Sequence, residues 1–112
     1  MASNESVGTT AINHIEDAVA ALDLTLSPEE IAARLGLGYS WFRRMFKEYT
    51  GVSPAQYQLQ QKLLRAKELL TSTPLTISEI AYSLHFENAG QFSTFFKKKE
   101  GVTPSEFRDR TH

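Results

Sequence analysis

One stretch of the chain, SPEEIAARLGLGYSWFRRMFKEYTGVSPAQY from Ser27 to Tyr57, is restated as TISEIAYSLHFENAGQFSTFFKKKEGVTPSEF from Thr76 to Phe107. Ile31, Ala32 and Leu35 return 49 positions later as Ile80, Ala81 and Leu84. Phe42, Phe46, Gly51, Val52, Pro54 and Tyr57 return 50 positions later as Phe92, Phe96, Gly101, Val102, Pro104 and Phe107. The offset grows by one between Leu37/Phe86 and Phe42/Phe92, so an insertion lies in the short connection there. A repeat restricts the fold more than composition does, because each copy must build the same supersecondary unit. Each copy reads as a short helix, a brief turn and a second helix, which is the grammar of a helix-turn-helix. Two such units imply two bites on one elongated ligand, for which duplex DNA is the obvious candidate.

Helix starts are marked in both copies. Ser27-Pro28-Glu29-Glu30 and Thr76-Ile77-Ser78-Glu79 are capping boxes, the first with proline at the opening helical position. Ser53-Pro54-Ala55-Gln56 and Thr103-Pro104-Ser105-Glu106 repeat the device at the next start, and Asn88 with Gln91 caps the second helix of the second copy. In the first copy that cap falls to Gly38, with Ser40 in competition. Between the copies, Pro54–Leu70 is free of glycine, carries Leu59, Leu63, Ala66 and Leu70 on one stripe, and puts Lys62, Arg65 and Glu68 on the other side. This is a connecting helix, which Thr71–Pro74 brings to an end. Ahead of the repeat, Ile12, Ile15, Val19 and Leu22 predict an amphipathic helix from Ala11 to about Asp23.

The expected architecture is therefore all-α, with about seven helices in two helix-turn-helix subdomains sharing a long central linker helix. The divisions are 1–10 as a disordered tail, 11–57 as the first subdomain, 54–72 as the linker helix and 73–110 as the second subdomain.

The formal net charge of −1 looks unsuited to a polyanion ligand until its distribution is considered. Residues 1–30 carry six acids and no Lys or Arg, so all 12 basic residues fall in 31–112 against seven acids. Phosphate attraction is local, screened within about 10 Å, so the excess of positive charge in 31–112 matters more than the total. There is no cysteine, which excludes disulfides and thiolate chemistry. No apolar run approaches the roughly 18 residues of a membrane span, and the first ten residues lack the pattern of a signal peptide. A cytoplasmic protein, associated with the nucleoid, is the expectation, with no membrane partner.

The outward residues of the second helix in each copy carry the candidate chemistry. In the first copy Phe42, Met45, Phe46 and Tyr49 are expected to face the core, leaving Ser40, Trp41, Arg43, Arg44 and Lys47 outside. Two adjacent arginines on an exposed helix suit the major groove, where guanidinium forks read guanine O6 and N7. The competing reading is a solvated basic face. Trp41 borders the apolar stripe, so it either packs over the rim of the subdomain or lies against sugar and thymine methyl groups. In the second copy Phe92, Phe95 and Phe96 face inward, while Gln91, Ser93, Thr94, Lys97 and Lys98 point away. Gln91 suits adenine, and Ser93 and Thr94 suit bases or phosphates. Lys97 and Lys98, with Lys99, suit phosphate, which positions a protein without specifying sequence. With no arginine here, the first motif is expected to dominate specificity. Ser53 and Thr103, at helix N-termini, serve as caps or receive a phosphate oxygen.

Catalysis finds no support. His14, His85 and His112 lack metal-ligand spacing, the acids are scattered, and no glycine-rich phosphate loop occurs. Neither an enzyme nor a cofactor is expected.

The pattern IAARLGL…WFRRMFKEYTGVSPAQY…LLRAKELL…ISEIAYSLHF…FSTFFKKKEGVTPSEFR resembles the DNA-binding domain of the AraC/XylS family of bacterial transcription regulators, over about Leu22 to Arg110. The resemblance implies two recognition helices, about Ser40–Tyr49 and Ala89–Lys99, entering successive major groove faces of one duplex, about 34 Å apart. It implies an activator more often than a repressor, with RNA polymerase as a further partner. Three positions depart from the family pattern: Thr94 stands where many members have arginine, Lys62 replaces the usual arginine of the connecting helix, and Gly38 replaces a capping serine. Many members add an effector-binding or dimerisation domain, for which 112 residues leave no room, so either a stand-alone regulator or an excised C-terminal domain is expected. A protein-interaction module of the same fold, binding RNA polymerase or another regulator, is the rival reading, supported by the low net charge and the acidic amino-terminal stretch.

Overall fold

The computed structural model describes residues 26–111. The tail expected over 1–10 and the helix expected over Ala11–Asp23 lie outside the described residues. Within them six helices follow one another: α1 (Pro28–Arg34), α2 (Tyr39–Thr50), α3 (Pro54–Ser72), α4 (Ile77–Ser83), α5 (Ala89–Glu100) and α6 (Pro104–Thr111). No strand occurs among the described residues, and the fold is all-α.

The helix boundaries follow from the capping chemistry. The Ser27 hydroxyl accepts from the Glu30 N–H at 3.2 Å. At Thr76 the box closes in both directions: Thr76 Oγ1 accepts from Glu79 N–H and Glu79 Oε1 accepts from Thr76 N–H, each at 3.0 Å. Reciprocal pairs also form between Ser53 and Gln56 and between Thr103 and Glu106. Each cap contributes about 1 kcal/mol by satisfying backbone donors that a helix start leaves unpaired.

The helix ends are duplicated as well. After α1, Gly36 adopts φ 72, with its N–H bonded to Ala33 O and the next N–H, of Leu37, to Ala32 O. After α4, His85 adopts φ 64 and the equivalent bonds run from His85 to Tyr82 O and from Phe86 to Ala81 O. Both are Schellman closures, in which a left-handed residue lets the chain turn back on the last helical carbonyls. The two turns then part company. The first reaches its N-cap at Gly38, whereas the second takes one residue more and reaches it at Asn88, which is the insertion read from the repeat offset. α2 and α5 both end on a left-handed glycine, Gly51 at φ 86 and Gly101 at φ 83.

Two compact units divide the chain, Met1–Gln60 and Gln61–His112. In the first, Ile31, Ala32, Phe42 and Phe46 are buried, with Leu26, Leu35, Leu37, Met45 and Tyr57 packed against them. In the second, Ile80, Ala81, Leu84, Phe92 and Phe96 are joined by Ala66 and Leu70 from α3, with Leu63, Phe86 and Phe107 around them. The ring geometry repeats. Phe42 and Phe46 lie 5.7 Å apart with Tyr57 edge-on to Phe46 at 5.4 Å, while Phe92 and Phe96 lie 5.9 Å apart with Phe107 edge-on to Phe96 at 5.4 Å. Fully burying such a ring contributes about 1.5–3 kcal/mol, and edge-to-face pairing adds about 0.5–1.5 kcal/mol.

One polar lock also recurs. Gln58 Nε2 donates to Leu26 O at 2.6 Å, and its counterpart Arg108 donates to Leu70 O at 3.0 Å and to Thr73 O at 3.2 Å. Each secures a backbone carbonyl just ahead of the following capping box. The arginine also places positive charge at the carbonyl end of α3, where the helix dipole favours it.

Three side chains depart from the sequence reading. Tyr49, expected in the core, is 45% exposed. The ring that joins Phe46 is Tyr57 from α3, and a phenol on the final turn of α2 keeps its hydroxyl solvated. Lys62, placed on the polar side of α3, is half-buried with its Nζ 5.1 Å from the Phe86 ring centroid. Its aliphatic stem covers apolar surface while the ammonium meets the ring face, and burial holds its pKa below the ordinary lysine value. Phe95 is only partly buried and leans on Phe86, with ring centroids 5.3 Å apart.

Candidate nucleic-acid interface

The buried phenylalanines orient the outward faces. On α2, Phe42 and Phe46 are completely buried. A helix turns 3.6 residues per revolution, so Ser40, Arg43, Arg44 and Lys47, at i, i+3, i+4 and i+7, share the opposite face. All four are exposed, and with Tyr39 and Glu48 they line one open depression along the helix. Among the described residues the ion pairs are Arg65–Glu68 and Lys67–Glu100, and neither involves Arg43, Arg44 or Lys47. Trp41 lies to one side of this face, 41% exposed, with part of its indole against protein and part open to a ligand.

The same register on α5 carries different chemistry. Phe92 and Phe96 are buried as Phe42 and Phe46 are, and Gly90, Ser93, Thr94 and Lys97 stand where Ser40, Arg43, Arg44 and Lys47 stand on α2. Thr94, Lys97 and Lys98 are exposed, whereas Ser93 is half-buried and so presents less of itself than expected. Lys97, Lys98 and Lys99 occupy the last turn of α5. There they complement the negative end of the helix dipole.

Gln91 is exposed but partly occupied. Its Oε1 accepts from the Glu87 N–H at 2.8 Å, and its own N–H donates to Asn88 Oδ1 at 2.8 Å. Reading adenine bidentately requires a free amide oxygen as well as the NH2 group. The NH2 group is unspent and the oxygen, already bonded to Glu87, has one acceptor site left, so Gln91 also braces the longer turn. The sequence signal was visible as the Asn88/Gln91 cap; the bond to Glu87 was not, because it depends on the extra residue in the turn.

Ser53 and Thr103 are capping residues with their hydroxyls engaged, and their backbone N–H groups are taken by Gln56 and Glu106. This leaves little of either helix start for an incoming phosphate. The Thr76 and Thr103 N–H groups hold the carboxyls of Glu79 and Glu106 below the usual glutamate pKa. Among the described residues no group of His, Asp or Glu is arranged to hold a metal, and no helix is long and apolar enough to cross a membrane. His85 is exposed and serves the α4 turn by its backbone.

Residues 31–110 match a family model described as a helix-turn-helix domain. The chain is 34% identical over 83 residues to the transcriptional activator RhaS of Escherichia fergusonii, an alignment covering 74% of this chain and 30% of RhaS. It thus spans about a third of the length of the curated relatives it matches. Among solved structures it superposes on the C-terminal domain of AraT, a response regulator from Geobacillus stearothermophilus. The TM-score is 0.77 at 31% identity, covering 93% of this chain and 84% of that one. The DNA-binding domain of the global transcriptional factor AdpA, solved in complex with a target DNA, shares the fold at a TM-score of 0.74 and 22% identity, covering 92% of this chain and 90% of that one. A repeated helix-turn-helix frame, a family match over most of the chain and relatives of this kind converge on one assignment: the chain belongs to the AraC/XylS family of helix-turn-helix transcription regulators, a class of non-enzymatic DNA-binding proteins.

Proposed function

We propose that this chain binds duplex DNA sequence-specifically as the reading head of a bacterial transcription activator, with α2 and α5 entering successive major groove segments of one site. The observation that carries the reading is the face of α2: two arginines and a lysine, exposed and outside any described ion pair, directly opposite a fully buried phenylalanine pair. Arg43 and Arg44, with Ser40 and Trp41, address base edges and the adjoining sugar and methyl groups, and Lys47 addresses phosphate. On α5, Gln91, Ser93 and Thr94 address bases, and Lys97 and Lys98 meet the backbone. The first motif dominates specificity because only it presents guanidinium forks. Activation implies a contact with RNA polymerase, in keeping with RhaS being a transcriptional activator.

The test is a salt titration on duplexes selected from a random pool. Binding through several phosphates weakens log-linearly with salt, and Lys97→Ala reduces the slope by about one. Arg44→Ala costs about 1–3 kcal/mol and relaxes the base preference at one position. A flat salt response, or no binding to any duplex at low salt, sinks the proposal. It would favour a protein-docking module instead, the reading that the net charge of −1 supports.

A further inference from the structure

The frame of the two motifs is the same and the outward chemistry is not, and the difference is specific enough to say what each half of the site contains. On α2 the outward register is Ser40, Arg43, Arg44 and Lys47; on α5 it is Gly90, Ser93, Thr94 and Lys97. Residues near the start of a recognition helix meet base edges. At the start of α5 the charged side chains give way to a hydrogen, a half-buried hydroxyl and the exposed hydroxyl and methyl of threonine. Gln91 beside them has its amide oxygen bonded to the Glu87 N–H, which ties its side chain to the turn and leaves one acceptor site for a base. What α5 then offers the groove, beside the Gln91 amide, is a short, uncharged surface that includes the exposed side chain of Thr94. Short side chains require close approach, and the base group projecting furthest into the major groove is the thymine C5-methyl, which threonine methyls contact.

We infer that the site is read by two different chemistries: guanine N7 and O6 in the half under α2, through Arg43 and Arg44, and thymine methyl groups in the half under α5, through Thr94. This rests on the DNA-reading proposal above. It gives the second motif a sequence preference of its own, one that hydrogen-bond inspection of α5 would miss. The lysines of the last turn hold phosphate and do not select the base. Gly90 is not the position to test, because a Cβ there would come within 3.2 Å of Asn88 Oδ1 and disturb the cap. Thr94 is exposed, and its side chain makes no hydrogen bond among the described residues.

The experiment is a cycle on the selected duplex. Replacing the thymines of the α5 half by deoxyuridine deletes only methyl groups and is expected to weaken binding about fourfold for each methyl buried, from roughly 0.8 kcal/mol per buried CH2. Thr94→Ser is expected to cost a similar factor on thymine DNA and nothing on deoxyuridine DNA. Thr94→Val, which keeps a methyl, is expected to retain the preference for thymine. In the α2 half, 7-deazaguanine, which lacks the N7 acceptor, is expected to cost tenfold or more, in keeping with about 1–3 kcal/mol per bidentate pair, and deoxyuridine nothing. Thermal melts of each variant confirm that the fold is unchanged. A selected α5 half without thymine, no response to deoxyuridine there, or a Thr94→Ser cost that persists on deoxyuridine DNA overturns the inference while leaving DNA binding intact. Failure of every duplex in the initial selection overturns the underlying proposal instead, before any modified base is used.

Discussion

Gly51 and Gly101 have no neighbour within 4 Å of the position a Cβ would take, yet both hold φ above 80°. An alanine at either meets no steric obstacle beyond its own backbone, so the penalty isolates the left-handed conformation. Gly51→Ala and Gly101→Ala are each expected to cost roughly 1–2 kcal/mol, read as a lowered urea midpoint with unchanged slope. Gly36 and His85 solve the same problem in different ways, a glycine in one copy and a histidine in the other, at φ 72 and 64. The N-caps diverge likewise. Asn88 bonds the Gln91 N–H, whereas Gly38 makes no side-chain bond. Asn88→Ala therefore costs about 1 kcal/mol, and Gly38→Ser gains only a few tenths. A chemical-denaturation series that ranks these the other way would contradict the capping assignment.

At the scale of the element, two capping boxes titrate. Glu79 and Glu106 have folded pKa values below the ordinary 4.5, first because backbone N–H groups of Thr76 and Thr103 bond the ionised carboxyl. A depressed folded pKa contributes stability that is fully present above the unfolded value and is lost as pH falls through the folded one. Stability is thus expected to decline as pH drops below about 4.5, and Glu79→Gln with Glu106→Gln to flatten that decline in melts recorded between pH 5 and pH 3. The Ser53 cap makes its reciprocal bond with Gln56, a neutral amide, and adds nothing to the slope. These boxes were legible because capping acts within four residues. The outward face of α2 was legible from local periodicity too: Ser40, Arg43, Arg44 and Lys47 follow from helical period once Phe42 and Phe46 are assigned inward. Tyr49 was not, because its side of the helix is apolar by period alone, and only packing reveals that Tyr57 supplies the ring on Phe46. Nor was Lys62, whose polar character conceals a half-buried side chain with its ammonium over the Phe86 ring.

At the scale of the whole molecule, the described residues hold two cores that share no side chain, one around Phe42 and Phe46 and one around Phe92 and Phe96. Phe46→Ala and Phe96→Ala are each expected to cost about 3–5 kcal/mol. Hydrogen exchange should locate each loss: Phe96→Ala speeds exchange in α4 and α5 more than in α1 and α2, and Phe46→Ala does the reverse. Equal acceleration everywhere would show that the cores are not separable. Charge at this scale is also uneven, with every basic residue beyond position 30, so a total of −1 does not describe what the helix faces present.

The sequence by itself determined the frame: two helix-turn-helix copies, their caps, their recurring glycines and the inward phenylalanines. All of these rest on interactions within a few residues or on a periodicity that the chain states twice. The tertiary structure decided what each outward side chain has left to offer. Gln91 was tied to the Glu87 N–H, Ser93 withdrew into partial burial, Tyr49 came out to solvent and Lys62 went partly under, because those outcomes depend on groups brought together by packing and by one extra residue in a turn.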